Sequence, residues 1–317
     1  MLVRRTIMKS DSDLTATPRA PREGGIVRCY RYMSGFWAEA LRDSRLKLSA
    51  AVEFNDAFDG SGTCIGEFSD EAIRRHLMKF SSSMPSEWVR ILSDKSILPV
   101  MRREYSEKMA RCFIERVLFK SQKILCFSNP QTMAADSLMW SHYANKWQGV
   151  RLGFDLLFEN HHQVTYDATS PYALTPVTYS QKRPVLDLSR IEEVDGDPLY
   201  SRYLYDVFRT KAEPWRYENE WRLFCDEQYS TECEGMRFWD FNKALLRTID
   251  IGPNVDAAHQ EQIIEITKTL YPHVVVRKVI MSESDYDFVY RTVLQPRVEL
   301  PAESSFVIHD SGMLLEG

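Results

Sequence analysis

Residues 124–180, ILCFSNPQTMAADSLMWSHYANKWQGVRLGFDLLFENHHQVTYDATSPYALTPVTYS, decide the fold class of this chain. Within them ILCFS (124–128), GVRLGFD (149–155), QVTYD (163–167) and PVTYS (176–180) each read as a short strand rich in β-branched and aromatic residues. A helical pattern falls between the first and second of these runs but not between the later ones. Strands that do not alternate regularly with helices point to an α+β fold rather than a doubly wound sheet.

Upstream, a strand begins near Ile26 in IVRCYRY, a short helix covers Trp37 to Leu41, and a second strand, RLKLSA, ends at the FNDAFDG turn. There Asn55, Asp56 and Gly60 supply turn chemistry, with Phe54 and Phe58 expected to anchor the turn in the core. Residues 69–122 are helical in pattern: Ser69, Asp70 and Glu71 cap AIRRHLMKF, Ser86 opens EWVRIL, and a long helix runs from about Val100 to Lys120. In it Met109, Cys112, Phe113, Arg116 and Val117 recur at helical spacing. Downstream, a helix from Pro198 to Lys211 places Leu199, Tyr203, Leu204, Val207 and Phe208 on one face. The strands ENEWRLFCD, MRFWDF and LLRTIDIG, a helix from Asn254 to Leu270 and the strand HVVVRKVIM follow. The expected architecture is a mixed, mainly antiparallel sheet core with a helical insertion (about 69–122) packed against it. It forms one domain over 25–317, preceded by a flexible segment, 1–24, that carries Pro18, Pro21 and Gly24.

The composition, 44% hydrophobic and 27% charged over 317 residues, is that of a globular chain with a substantial core. A net charge of −5 gives no basic footprint for bulk nucleic-acid binding. The six cysteines form no CxxC pair and fit free thiols in a reducing compartment. No apolar run reaches the roughly 18 residues needed to span a bilayer, and the N-terminus, with Arg4, Arg5, Asp11 and Asp13 and no apolar stretch, is not expected to act as a secretory signal. The expected setting is the cytoplasm, away from membranes.

Four segments hold residues able to do chemistry. In Tyr30-Arg31-Tyr32 alternation sets Arg31 on the face opposite its tyrosine neighbours; its guanidinium suits phosphate or carboxylate, or its stem lies along the sheet edge. Ser49 leads to Asn55, Asp56 and Asp59, which hydrogen-bond turn amides or help to hold a metal. In Leu138–Ala144, a helix puts Met139, His142 and Tyr143 on one face with Trp140 at its border. His142 serves as a base or as packing, and Trp140 and Tyr143 as core or as a stacking surface. The last segment, Trp215-Arg216-Tyr217-Glu218-Asn219-Glu220-Trp221-Arg222-Leu223, is the sharpest. Read with period two, Glu218, Glu220 and Arg222 share a strand face, with the carboxylates roughly 7 Å apart. Two such acids repel, raising one pKa unless a cation intervenes, and Arg222 can be that cation. A solvated face is the plain alternative.

YRYMS, LKLSAAVEFNDAFD, ILCFS with LMWSHYANKWQGVRLGFD, KAEPWRYENEWRLF and TIDIG, in that order, resemble the bacterial family of domain of unknown function 2971 over residues 27–280. A more distant resemblance is to the ADP-ribosyltransferase superfamily. It implies NAD as co-substrate, Arg31 contacting phosphate or nicotinamide ribose, Ser49 at the second position, Glu220 as the catalytic acid and Glu218 as the upstream glutamate. By the same resemblance the protein is an intracellular toxin or phage-defence effector, with an antitoxin or immunity partner and a macromolecular or small-molecule substrate. Candidate catalytic residues are thus Glu220, Glu218 and Arg31; candidate binding residues are Tyr30, Tyr32, Ser49, Asn55, Asp56, Trp140, His142, Tyr143, Trp215 and Arg222. Two rival readings stay open: a metal-dependent nuclease or phosphoesterase using Asp56, Asp59, Glu218, Glu220 and His142, and a non-catalytic module whose aromatic cleft binds a nucleotide or peptide.

Overall fold

A computed structural model describes residues 25–79, 98–114, 123–158, 172–194, 197–225 and 230–299. The expected flexible segment 1–24, the EWVRIL segment, the QVTYD strand and the last turns of the expected helix up to Lys120 lie outside them.

Fifteen strands are described: β1 (Gly25–Met33), β2 (Arg45–Ala50), β3 (Thr63–Ile65), β4 (Lys123–Ser128), β5 (Val150–Phe158), β6 (Tyr172–Pro176), β7 (Thr178–Ser180), β8 (Val185–Asp187), β9 (Thr210–Ala212), β10 (Glu220–Cys225), β11 (Thr231–Cys233), β12 (Met236–Asp240), β13 (Leu246–Ile251), β14 (Val275–Met281) and β15 (Phe288–Leu294). Most join one large sheet in the order β11-β12-β2-β4-β1-β5-β13-β14-β15, with β10 and β6 branching from β4. Its pairs are antiparallel except β13 with β14, which the helix Ala257–Leu270 connects. The fold is α+β, with a mainly antiparallel sheet core.

The branch at β4 shapes the molecule. One edge of β4 pairs along its whole length with β10, from Lys123↔Cys225 to Ser128↔Glu220. The other edge is shared: β2 pairs at Ile124 and Lys123, whereas β1 pairs only at Ser128. Strands β1 and β2 therefore splay apart on one edge of β4, and a cleft opens over the gap.

Three apolar clusters hold the elements together. The largest joins β1, β5, β10, β12 and β13 around Phe127, Phe154, Trp221 and Trp239. A second sets the helix Pro198–Arg209 against Ile124 and Phe224 through Tyr203, Val207 and Phe208, with Leu199 and Leu204 alongside, the face expected from periodicity. It also takes in Ala72 and Ile73 of the helix Asp70–Lys79 and Met101, Tyr105 and Met109 of Leu98–Ile114, so the helical insertion packs on the sheet. The third surrounds Trp140. Among the described residues no helix is long and apolar enough to cross a membrane.

Four expectations differ from the structure. The helix expected to reach Lys211 ends at Arg209, and Lys211 lies in β9. Glu218 is not in a strand: Glu213–Glu218 forms a 3-10 helix and Asn219 adopts a left-handed conformation, φ 44, before β10 begins at Glu220. Pro214 starts that helix with a preset φ, and asparagine tolerates the left-handed turn that ends it. Phe58 is 61% exposed, stacked beneath Arg183, so only Phe54 anchors the FNDAFD turn. The strand expected at 176–180 is two, because Pro176 closes β6 and Thr178 opens β7 in another sheet.

Candidate functional site

The cleft over the β1/β2 gap encloses ≈ 550 Å³. Tyr30, Arg31 and Tyr32 reach it from β1, Ser49 from β2, and Asn55 and Asp59 from the turn that follows. His142 and Tyr143 enter from the helix Met133–Tyr143, and Lys211, Glu218 and Glu220 from the segment around β9 and β10.

At the foot of the cleft three carboxylates meet two cations. Lys211 Nζ donates to Glu218 Oε2 (2.5 Å) and Glu220 Oε2 (2.8 Å) and lies 3.8 Å from Asp59 Oδ2. Arg222 donates from Nε to Glu220 Oε1 (2.7 Å), from Nη2 to Asp59 Oδ2 (2.6 Å) and from Nη1 to the Phe208 carbonyl (2.6 Å). Both cations sit on aromatic faces, Lys211 on Trp215 and Arg222 on Phe54. With every group ionised, the five carry one excess negative charge. Asp59 Oδ1 is buried with no hydrogen-bond partner among the described residues.

Burial works against the ionised form of each acid, and its neighbours decide the outcome. Desolvation would raise Glu220, but the Arg222 guanidinium and the Lys211 ammonium hold its carboxyl well below the usual range. Glu218 goes the other way: burial raises it, and repulsion from Glu220 adds to that, outweighing Lys211 and the hydroxyl of Tyr143, which donates to its Oε1 at 2.6 Å. Burial likewise raises Asp59 despite Arg222. Lys211, which burial would neutralise, is held charged by Glu220, Glu218 and Asp59. The cleft thus contains one firmly ionised carboxylate beside one that holds a proton more readily, the usual division between an electrostatic group and an acid or base.

Around this foot, Arg31 bridges the gap in the sheet by donating from Nη1 to the Cys126 carbonyl at 2.8 Å. Asn55 donates to the Tyr143 hydroxyl (3.2 Å), extending the chain of hydrogen bonds from Glu218, and the Tyr179 hydroxyl accepts from the Glu220 amide (2.8 Å). Cys126 also lines the cleft, but burial and the nearby Glu220 push its thiol well up, which disfavours a thiolate nucleophile.

Four of the sequence candidates stand outside the cleft lining. Trp140 is 0% exposed, stacked on Trp147 and donating to the Tyr290 hydroxyl at 3.0 Å. It backs a buried network in which Arg151 binds Asp136 and Asp250 and lies over the ring of Tyr30. This explains the aromatic density of MWSHYA: Met139, His142 and Tyr143 face the cleft, and Trp140 faces the core. Asp56 caps its own turn by accepting from the Phe58 amide (2.9 Å). Trp215 roofs Lys211, and Arg222, 0% exposed, acts through Glu220 and Asp59. Lys211 was absent from the sequence candidates. Its signal is slight, a lysine seven residues before Glu218 in KAEPWRYENE, and only the pairing of β9 with β7, with Lys211 opposite Tyr179 and its ammonium on Glu218 and Glu220, gives it meaning.

The metal reading asks for an ion among Asp56, Asp59, Glu218, Glu220 and His142. Among the described residues no three His, Cys, Asp or Glu side chains are grouped to hold a metal ion. Asp59, Glu218 and Glu220, which would have to supply the oxygens, converge on Lys211 and Arg222 instead, and Asp56 is turned to its backbone.

No curated protein and no solved structure matches this chain. Residues 139–223, the stretch holding His142, Tyr143, Lys211, Glu218, Glu220 and Arg222, match the family described as Protein of unknown function (DUF2971).

Proposed function

We propose that the cleft binds NAD and transfers its ADP-ribosyl group to an acceptor, with Arg31, Glu218 and Glu220 as the working residues. One observation carries this reading: Arg31, Ser49, His142, Glu218 and Glu220, from four separate stretches of chain, face a single cleft of ≈ 550 Å³. That volume lies in the range of small-molecule sites. Arg31 spends one nitrogen on Cys126 and keeps further donors for a phosphate. Asp59 Oδ1, buried and without a partner among the described residues, is an acceptor for a ligand hydroxyl.

In the reaction the bond between ribose C1′ and the nicotinamide nitrogen breaks, and its electron pair leaves with the nitrogen. Positive charge develops at C1′, where Glu220, whose ionised form Arg222 and Lys211 favour, is preorganised to stabilise it. The acceptor nucleophile then bonds to C1′, and its proton passes to Glu218, whose carboxyl is poised to take one. An activity of this type suits an effector of the toxin or defence kind, restrained by an immunity partner.

Glu220→Gln is expected to lower nicotinamide release from NAD by about 10²–10³-fold. Because Glu220 belongs to a buried charge cluster, Arg31→Ala serves as a second variant that leaves the cluster whole, and it should raise KM for NAD. Unchanged nicotinamide release in both variants, each shown folded by circular dichroism, defeats the proposal.

A non-catalytic nucleotide-binding reading has one observation in its favour. Both Glu220 oxygens are already held by Lys211 and Arg222, and the residue is only 3% exposed. NAD binding that depends on Arg31, with no nicotinamide released by the wild-type protein, would decide for it.

A further inference from the structure

A second cleft, of ≈ 500 Å³, adjoins the first and shares Ser34, Gly35 and Phe36 with it. Its walls differ in chemistry. Where the first cleft is built on buried charge, the second is lined by the carboxamides of Asn145, Gln148, Asn254 and Gln262, with Glu39 beside them. Asn145 donates to Gln148 Oε1 (3.2 Å), Asn254 Nδ2 donates to the Lys146 carbonyl (3.4 Å), and Asp256 caps the helix Ala257–Leu270 through His259.

Both borders of this second cleft hold non-glycine residues in the left-handed region. Phe36, on the shared sill, has φ 53 and is 84% exposed. Opposite it, Asn145, Lys146 and Trp147 run consecutively at φ 47, 52 and 70. That turn is held by Trp147, whose indole stacks on Trp140 and donates to Ser141 Oγ (3.0 Å), and whose carbonyl accepts from the Asn254 amide (3.2 Å). Left-handed residues without glycine persist only where the surroundings enforce them, and they gather at ligand clamps. An aromatic ring kept in water on such a backbone is available for stacking on a flat ligand.

We infer that the second cleft is the subsite for the adenosine half of the dinucleotide, with Phe36 stacking on the adenine ring. This rests on the NAD reading of the first cleft. Carboxamides match the adjacent donor and acceptor of the adenine edge. Glu39 is an acceptor for a ribose hydroxyl, and the pyrophosphate crosses the sill toward Arg31 of the first cleft. The adenosine and nicotinamide halves then occupy separate walls of one continuous groove.

Calorimetric titration of the full chain with NAD, AMP and nicotinamide mononucleotide separates the parts. Phe36→Gly keeps the backbone conformation, since glycine accepts a positive φ freely, and should weaken AMP and NAD by about tenfold, the worth of one stacked base. Gln262→Ala should weaken AMP by about fivefold. Nicotinamide mononucleotide should bind Gln262→Ala as it binds the wild type, since Gln262 lines the second cleft and not the first. AMP should still bind when the first cleft is saturated with nicotinamide mononucleotide. Competition between the two mononucleotides for one site, or AMP and NAD affinities untouched by both substitutions, overturns the inference; Arg31-dependent NAD binding in that case leaves the reading of the first cleft standing. Failure of the wild-type chain to bind NAD sinks both.

Discussion

Lys211 is the residue on which the charge cluster depends, since its ammonium alone touches all three carboxylates, Asp59, Glu218 and Glu220. Removing one partner of a buried ion pair leaves the others uncompensated, which costs about 3–5 kcal/mol. Lys211→Met should therefore destabilise the protein by that amount in urea titration. Arg102→Ala, which breaks surface pairs with Glu67 and Asp70, should cost about 0–1 kcal/mol; equal losses in the two variants would contradict the cluster's role. The two glutamates also respond to pH with opposite signs. Glu220 has a depressed folded pKa, so its contribution is present above its unfolded value of about 4.3 and fades as pH falls below it. Glu218 has a raised one, so its ionised form is a liability above that same point, relieved on acidification. At pH 7 Glu220→Gln should thus cost more stability than Glu218→Gln, and the gap should narrow at pH 4. A gap that widens in acid would show the signs to be reversed.

At the scale of elements, Gly153 of β5 illustrates how the cleft wall is kept in place. A Cβ there would lie 2.3 Å from Thr248 Oγ1 and 3.1 Å from the ring of Tyr30, which lines the cleft. Gly153→Ala should cost about 1–3 kcal/mol by overpacking and displace Tyr30; an unchanged denaturant midpoint would show that the wall gives way freely. Which elements were legible in the sequence follows from the same local physics. RLKLSA and the helix face of Tyr203, Val207 and Phe208 were readable because burial on one side imprints a clean period. The start of ENEWRLFCD was misread as strand at Glu218 and Asn219 because the aromatic residues around it outweighed its punctuation, Pro214 and Asn219. Those two residues turn the chain so that Glu218 meets the same lysine as Glu220 by a different route from simple alternation. Strand β15 carried no such imprint, with exposed Val289 and Val293 on an edge, and it went unseen.

For the molecule as a whole, the cleft exists because β1 and β2 divide one edge of β4, a pairing between segments nearly a hundred residues apart that no local pattern announces. The residues that line it were individually visible, as Arg31, Ser49, His142 and Glu220 were, but their meeting was not. Lys211 escaped notice because its partners are set by topology. A ligand held by these separate stretches binds only the folded chain and must stabilise it. At a concentration about 100 times its Kd, NAD should add about 2.7 kcal/mol to the unfolding free energy. Arg31→Ala should remove most of that gain, since it deletes a donor facing the cleft. Arg28→Ala, three residues earlier on the same strand but paired with Asp155 and Nη2 2.9 Å from its carboxylate, should keep it. Equal stabilisation of the two variants by NAD would place the ligand elsewhere, because only one of these arginines faces the gap in the sheet.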